Sequence, residues 1–189
     1  MKKKSFAILI SGYGRGAIDI INEYKNGLIG PSLELLLSSN NESYALNVAK
    51  QNGIKTETIN KKNFQSKKAF EKEILSILKS NKIDYVFLAG WKYIIGDTIL
   101  KEFNKRIVNI HNSLLPSFKG LKAIDQALEY GVKITGITTH LVDESLDGGK
   151  IIMQQAVNID DDDDFKSVDM KVFRAGTIIS IKTINKIFK

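Results

Sequence analysis

The chain contains no cysteine, which excludes disulfides and thiolate-bound metals as sources of stability or chemistry. That absence is compatible with a reducing cytoplasm. Proline is scarce too, limited to Pro31 and Pro116, neither inside a helical pattern. No apolar run approaches the roughly 18 residues needed to cross a bilayer. The opening MKKKSFAILIS has the outline of a secretory signal, a basic start followed by apolar residues. Its apolar part, Phe6 to Ile10, is too short and leads directly into Ser11-Gly12-Tyr13-Gly14, so a first buried strand explains it better. Also missing is any continuous basic stripe interleaved with aromatics. The net charge of +7 is spread along the chain, with local clusters only at Lys2 to Lys4, Lys61-Lys62 and Lys67-Lys68. Such lysines read as solvated helix surface, not as a nucleic-acid track, and a modest positive field equally suits a small anionic substrate.

What is present is the composition of a globular protein, 43% hydrophobic and 26% charged over 189 residues, enough for one domain with a substantial core. Short apolar runs alternate with amphipathic stretches. Strands are expected at 5–10, 32–39, 55–59, 85–89 and 106–110. Helices are expected at 14–25, 43–51 and 67–79, the last with Phe70, Ile74, Ile77 and Leu78 on one stripe. Asn52-Gly53 is a helix stop. This order implies an α/β fold: a doubly wound, mostly parallel sheet with helices on both faces. The last third differs. Residues 135–142 and 150–157 suggest an antiparallel pair, and 165–188 a closing helix. No linker divides the chain, so residues 1–189 are expected to form one domain.

Two segments carry candidate chemistry. Gly12, Gly14, Arg15 and Gly16 lie between the first strand and first helix, where bare amides and the helix dipole offer an anion site. The spacing GxGxG matches neither the dinucleotide fingerprint nor the phosphate loop, so a tight turn without ligand remains an equal reading. Arg15 either pairs with an anion or points into water. The second segment is Val108-Asn109-Ile110-His111-Asn112-Ser113-Leu114-Leu115-Pro116, at the carboxyl end of the fifth strand, where open parallel sheets bind ligands. Asn109 and His111 lie two apart and so project from one side. Downstream, Asp143-Glu144-Ser145-Leu146-Asp147-Gly148-Gly149 is a tight polar loop. Asp147 before Gly-Gly serves either turn chemistry or contact with His111. The run Asp160 to Asp164 reads as a solvated loop capping the final helix, since consecutive side chains point apart and do not converge on a metal.

Taken together, ILISGYG, FLAGWKYIIG, VNIHNSLLPSFKG and GITTHLVDESLDGGKIIMQQAV resemble the glycinamide ribonucleotide transformylase family and its wider group of folate-dependent formyltransferases. The resemblance covers nearly the whole chain and implies a formyltransferase fold, with a Rossmann-like half to about residue 105 and a folate-binding half from about 106. It implies formyl transfer from 10-formyltetrahydrofolate to a small amine without metal or covalent enzyme intermediate, in cytoplasmic purine biosynthesis, by a monomer or homodimer with neither nucleic-acid nor membrane partners. By the same resemblance Asn109 would hydrogen-bond the formyl oxygen, His111 would stabilise it and shuttle a proton, and Asp147 would hold the imidazole in its charged form. Lys67, Lys92, Tyr93, Ile94, Ile95, Asn109, Asp143, Glu144, Ser145, Leu146 and Asp147 would bind the folate, with Lys67 near its glutamate tail. The glycine loop would bind the acceptor's phosphate.

The chain departs from the family at the acceptor. Arg15-Gly16 stands where Ser-Asn is usual, Tyr93 where an arginine is expected, and Asn112 where proline is common. A glutamate expected for the acceptor's ribose is missing, with Gly176 near its position. An aminosugar-nucleotide formyltransferase and a catalytically silent folate- or nucleotide-binding relative are therefore alternatives. Transfer-RNA formyltransferases and folate hydrolases share this core but carry added domains that this sequence does not show.

Overall fold

In a computed structural model, residues 3–188 are described. Lys2 of the amino-terminal lysine cluster lies outside them. Seven strands form one sheet, interrupted by six helices: β1 (Ser5–Ile10), α1 (Arg15–Lys25), β2 (Ser32–Ser38), α2 (Tyr44–Gln51), β3 (Lys55–Thr58), α3 (Lys67–Ser80), β4 (Tyr85–Leu88), α4 (Asp97–Glu102), β5 (Ile107–His111), α5 (Ala123–Tyr130), β6 (Ile134–Leu141), β7 (Ile151–Asn158) and α6 (Phe165–Ile187). The sheet order is β3-β2-β1-β4-β5-β6-β7. The first five strands in that order run parallel, and β6 is antiparallel to both β5 and β7.

The long elements stand where apolar periodicity places them. Two helices and a 3-10 turn (Lys61–Asn63) escaped that reading. With six residues, α4 offers too few turns for a stripe to show. Alternate residues of β1 feed two cores. Phe6, Ile8 and Ile10 pack with Ile20, Ile21, Ile184 and Phe188 beneath α1 and α6. Ala7 and Leu9 pack with Phe70, Ile74, Leu78 and Ile99 beneath α3 and α4. Each such fully buried large side chain contributes about 1.5–3 kcal/mol. This double coverage explains why β1 is apolar throughout and not alternating.

The acidic loop is a cap, as its composition suggests. Asp164 accepts from the Ser167 backbone N–H at 2.8 Å, and Ser167 Oγ accepts from the Asp164 N–H at 2.9 Å, a reciprocal cap at the start of α6. Lys171 bridges Asp160 and Asp163, while Lys133 reaches Asp161. Among the described residues no helix is long and apolar enough to cross a membrane.

Candidate active site

The carboxyl ends of β1, β4 and β5 open into a cleft of about 820 Å³, within the usual size for small-molecule sites. It lies where the parallel half of the sheet meets the antiparallel half, because β5 pairs with β4 through Leu88 and Asn109 and with β6 through Asn109 and His140. Cross-strand partners share a face, so this register sets Asn109 beside His140, with His111 two residues further along the same side.

Asp147 joins these groups. Its Oδ1 accepts from Asn109 Nδ2 at 3.4 Å and lies 3.6 Å from His140 Nε2. Its Oδ2 accepts from the Gly120 N–H at 2.8 Å and faces His111 Nδ1 at 3.5 Å. Burial pushes this carboxyl upward, but the His140 imidazole, the Gly120 N–H and the nearby His111 outweigh it and hold the pKa at about 2. Asp147 is a carboxylate throughout the physiological range. Its own backbone is left-handed, with φ 45°, a conformation uncommon outside glycine. The glycine two residues on is obligatory: a Cβ on Gly149 would lie 1.9 Å from the Leu141 carbonyl oxygen.

Both histidines are committed at both nitrogens. A carbonyl only accepts, so His140 Nδ1–H donates to Leu141 O at 2.9 Å, and in the neutral ring Nε2 accepts from Asn109 Nδ2 at 3.2 Å. His111 Nε2–H donates to Phe118 O at 2.7 Å. Its Nδ1 contact with Asp147 becomes attractive when that nitrogen carries a proton. Phe118 sits at φ 52°, in a run that includes Gly120 at 81° and Lys122 at 58°.

The sequence-expected residues divide as follows. Asn109, His111 and Asp147 converge within hydrogen-bonding reach. Lys92, Tyr93, Ile94, Ile95, Asp143, Ser145 and Leu146 line the cleft, as do Gly12, Gly14, Arg15 and Gly16. Lys67 and Glu144 are not among the lining residues. Lys67 pairs with Glu71 at 3.5 Å, and Glu144 is exposed. Unanticipated are His140 and Leu121, and Asp169 and Phe173 at the end where Arg15 lies.

That other end is organised around Arg15. Its Nη1 and Nη2 donate to the two Asp169 oxygens at 2.8 and 2.9 Å, and its guanidinium lies 4.0 Å from the Phe173 ring centroid. Arg15 is therefore held in place at the cleft wall by Asp169 and Phe173 and does not point freely into water. Of the glycines here, Gly14 is required by φ 88° and by Ala45 Cβ, which would lie 2.5 Å from an added Cβ. At Gly12 and Gly16 an added Cβ would meet nothing within 4 Å, so packing does not require them and they leave bare backbone facing the cleft. At Gly176, near the position of the glutamate that the resemblance suggests, an added Cβ would lie 2.6 Å from Ile137 Cδ1, so a side chain there would have to displace Ile137; the α6 side chains that meet Arg15 are Asp169 and Phe173.

Comparison with known proteins decides the family. A model of the formyl transferase family matches residues 4–184. The chain belongs to the formyl transferase family. Among relatives of this formyltransferase, the phosphoribosylglycinamide formyltransferase of Bacillus subtilis is 35% identical over 171 residues, spanning 90% of this chain and 88% of that one. The human trifunctional purine biosynthetic protein adenosine-3 is 38% identical over 158 residues, 84% of this chain but only 16% of that longer protein. Among solved structures, the phosphoribosylglycinamide formyltransferase of Bacillus halodurans superimposes with a TM-score of 0.94 at 38% identity, covering 97% of this chain and 94% of that one. The glycinamide ribonucleotide transformylase 1 of Geobacillus kaustophilus gives 0.96 at 32% identity, with both chains fully covered. The formyltransferase fold expected from the sequence is thus the observed one, and formyl transfer is the enzyme's chemistry.

Proposed function

We propose that this formyltransferase transfers the formyl group of 10-formyltetrahydrofolate to glycinamide ribonucleotide, acting in the cytoplasm in purine biosynthesis. The observation that carries the reading is the convergence of Asn109, His111 and Asp147 on one end of a cleft whose other end presents bare glycine backbone at a helix start. The donor end fits a flat, partly apolar ring system. Ile94, Leu121 and Leu146 line it while 67%, 82% and 57% exposed, and the buried Trp91 Nε1 has no hydrogen-bond partner. The folate supplies an activated formyl carbon attached to a nitrogen that leaves once protonated.

The protein's part is orientation and charge. Asn109 would turn an amide N–H from His140 or Asp147 toward the formyl oxygen, stabilising it as negative charge grows there. His111 would give up its bond to Phe118 O, face the same oxygen and move a proton toward the leaving nitrogen. Asp147 would balance the positive charge on His111 and keep the ring's orientation. His140 would hold the Asn109 amide from behind. Gly12 and Gly16, with Arg15 oriented by Asp169, would receive the acceptor phosphate. In this reading the half from about residue 106 holds the folate, and the half up to about 105 holds the acceptor. Lys67 and Glu144, outside the lining, would contact at most the solvent-facing part of the folate.

An aminosugar nucleotide as acceptor is the second reading. It is favoured by Tyr13 and Tyr44, which stack at 5.3 Å and 15° beside the glycine loop and offer a planar surface to a base. Release of tetrahydrofolate, followed with each acceptor in turn, separates the two. Turnover with glycinamide ribonucleotide establishes the first, turnover only with aminosugar nucleotides establishes the second, and turnover with neither removes both.

A further inference from the structure

The sheet ends on two unlike edges. β3 closes one side with four residues, Lys55-Thr56-Glu57-Thr58, whose two charges pair with each other at 3.5 Å. A short, charged strand of this kind resists pairing with another chain. β7 closes the other side with eight residues, Ile151 to Asn158, that include no charge and no proline. Gln154, Gln155 and Ala156 at its middle are exposed, and among the described residues no strand lies beyond it.

The free backbone groups of this edge can be named. Ile159 N–H donates to Lys133 O at 2.9 Å, so Ile159 turns its backbone toward β6. That direction alternates along an antiparallel strand, so Val157, Gln155 and Met153 also turn inward. The N–H and C=O groups of Gln154, Ala156 and Asn158 therefore point outward. Ala156 O accepts there from the neighbouring Gln155 side chain at 3.3 Å, a long bond that a backbone amide would replace. The strand is already held in place for a partner. Gln154 Nε2 donates to Leu115 O at 2.9 Å and to Thr138 Oγ1 at 3.0 Å.

The sequence of β7 indicates what pairs with it. Turned about a two-fold axis at Gln155, the strand is complementary to itself. Gln154 and Ala156 would exchange their outward groups with Ala156 and Gln154 of a second copy. Met153 would meet Val157 of the second copy, and both pack against α6 residues within their own chain. The same axis carries Lys150 toward the acidic turn that follows β7 in the other copy. Lys150 is exposed and, among the described residues, forms no ion pair. In that turn Asp160, Asp161 and Asp163 have lysine partners, which leaves Asp162 to receive it. The axis also brings Ile151, 41% exposed, to the end of the edge where Ile134 is 55% exposed.

We propose that β7 is a homodimer interface, across which two copies join edge to edge, antiparallel and centred on Gln155, into one continuous sheet. None of residues 151–158 lines the cleft, so both active sites stay open.

The chain has no cysteine, so a single introduced one reports on one position. In the proposed register residue 155 faces itself across the axis as a non-hydrogen-bonded pair, with Cα atoms about 4.5 Å apart and within disulfide range. Gln155→Cys therefore gives a covalent dimer under mild oxidation, whereas Ala156→Cys, facing residue 154, does not. Sedimentation of the wild type at micromolar concentration gives the mass of a dimer. Gln155→Lys sets two ammonium groups on the axis and raises the dissociation constant about tenfold. Ala156→Pro removes an outward N–H, spares the β6 ladder and shifts the enzyme to monomer. Should Ala156→Pro lower thermal stability, Gln155→Lys, a change to an exposed side chain, decides alone. A wild type that stays monomeric, a dimer unaffected by Gln155→Lys, or crosslinking of Ala156→Cys as fast as Gln155→Cys overturns the interface. A mass larger than the dimer overturns it too, because an isologous edge contact stops at two copies.

Discussion

The two ends of the cleft are built on opposite plans. At the end proposed for the folate, Asn109, His111, His140 and Asp147 are linked in a network fixed by strand register, and all but Asn109 are nearly buried. At the end proposed for the acceptor the glycines offer bare backbone, and the loop's one charged side chain, Arg15, is tied to Asp169 and Phe173 on a helix about 154 residues away in sequence. The first end has little freedom to change without losing its chemistry. The second can change its ligand by altering a few side chains on α1 and α6.

The largest effect separating the ends is expected from His111→Ala, which lowers kcat about 10²–10⁴-fold while folate still quenches Trp91. A parallel loss of folate affinity would make His111 a binding residue and erase the contrast. Gly149→Ala comes next: the new Cβ meets the Leu141 carbonyl at 1.9 Å, so unfolding free energy falls by about 3 kcal/mol in urea titrations. A stability unchanged by that substitution would show that the Asp147 loop is not fixed as described. Arg15→Ala raises KM for a phosphorylated acceptor about tenfold with kcat and folate affinity little altered, since one charged hydrogen-bonding group is lost. An equal change with an acceptor lacking phosphate would confine Arg15 to joining α1 and α6.

The smallest effect concerns acid. Asp147 has its pKa lowered from 3.8 to about 2, so its contribution to stability is complete above about pH 4 and is lost as pH falls toward 2. In Asp147→Asn the unfolding free energy therefore loses part of its pH dependence across that window. A wild-type slope retained in full would place the carboxylate outside the network.

The core elements were legible because each one repeats its signal: β1 as an unbroken apolar run, β2 as one broken only by Glu34, α3 as a stripe. The Asn109–His111 pair was legible because neighbours two apart on a strand share a side whatever surrounds them. His140 was not. Its place beside Asn109 depends on β6 pairing with β5 as well as with β7, a long-range choice that periodicity does not encode. The Arg15–Asp169 pair was hidden for the same reason, being a product of how α6 crosses α1. Gly176 lines the cleft, and its closeness to Ile137 is again a product of how α6 packs on β6, which motif matching along the chain does not reveal.

Asp147 also has a consequence for how the enzyme comes into being. Its contacts with Gly120 and Asn109 close loops of 27 and 38 residues, and both reach backward along the chain. A ribosome that has emitted β1 to β5 has supplied the whole parallel part of the sheet, with Asn109 and His111, but not the Asp147 that joins them. Competence for the reaction thus arrives late in synthesis, after the strands that support it have been made.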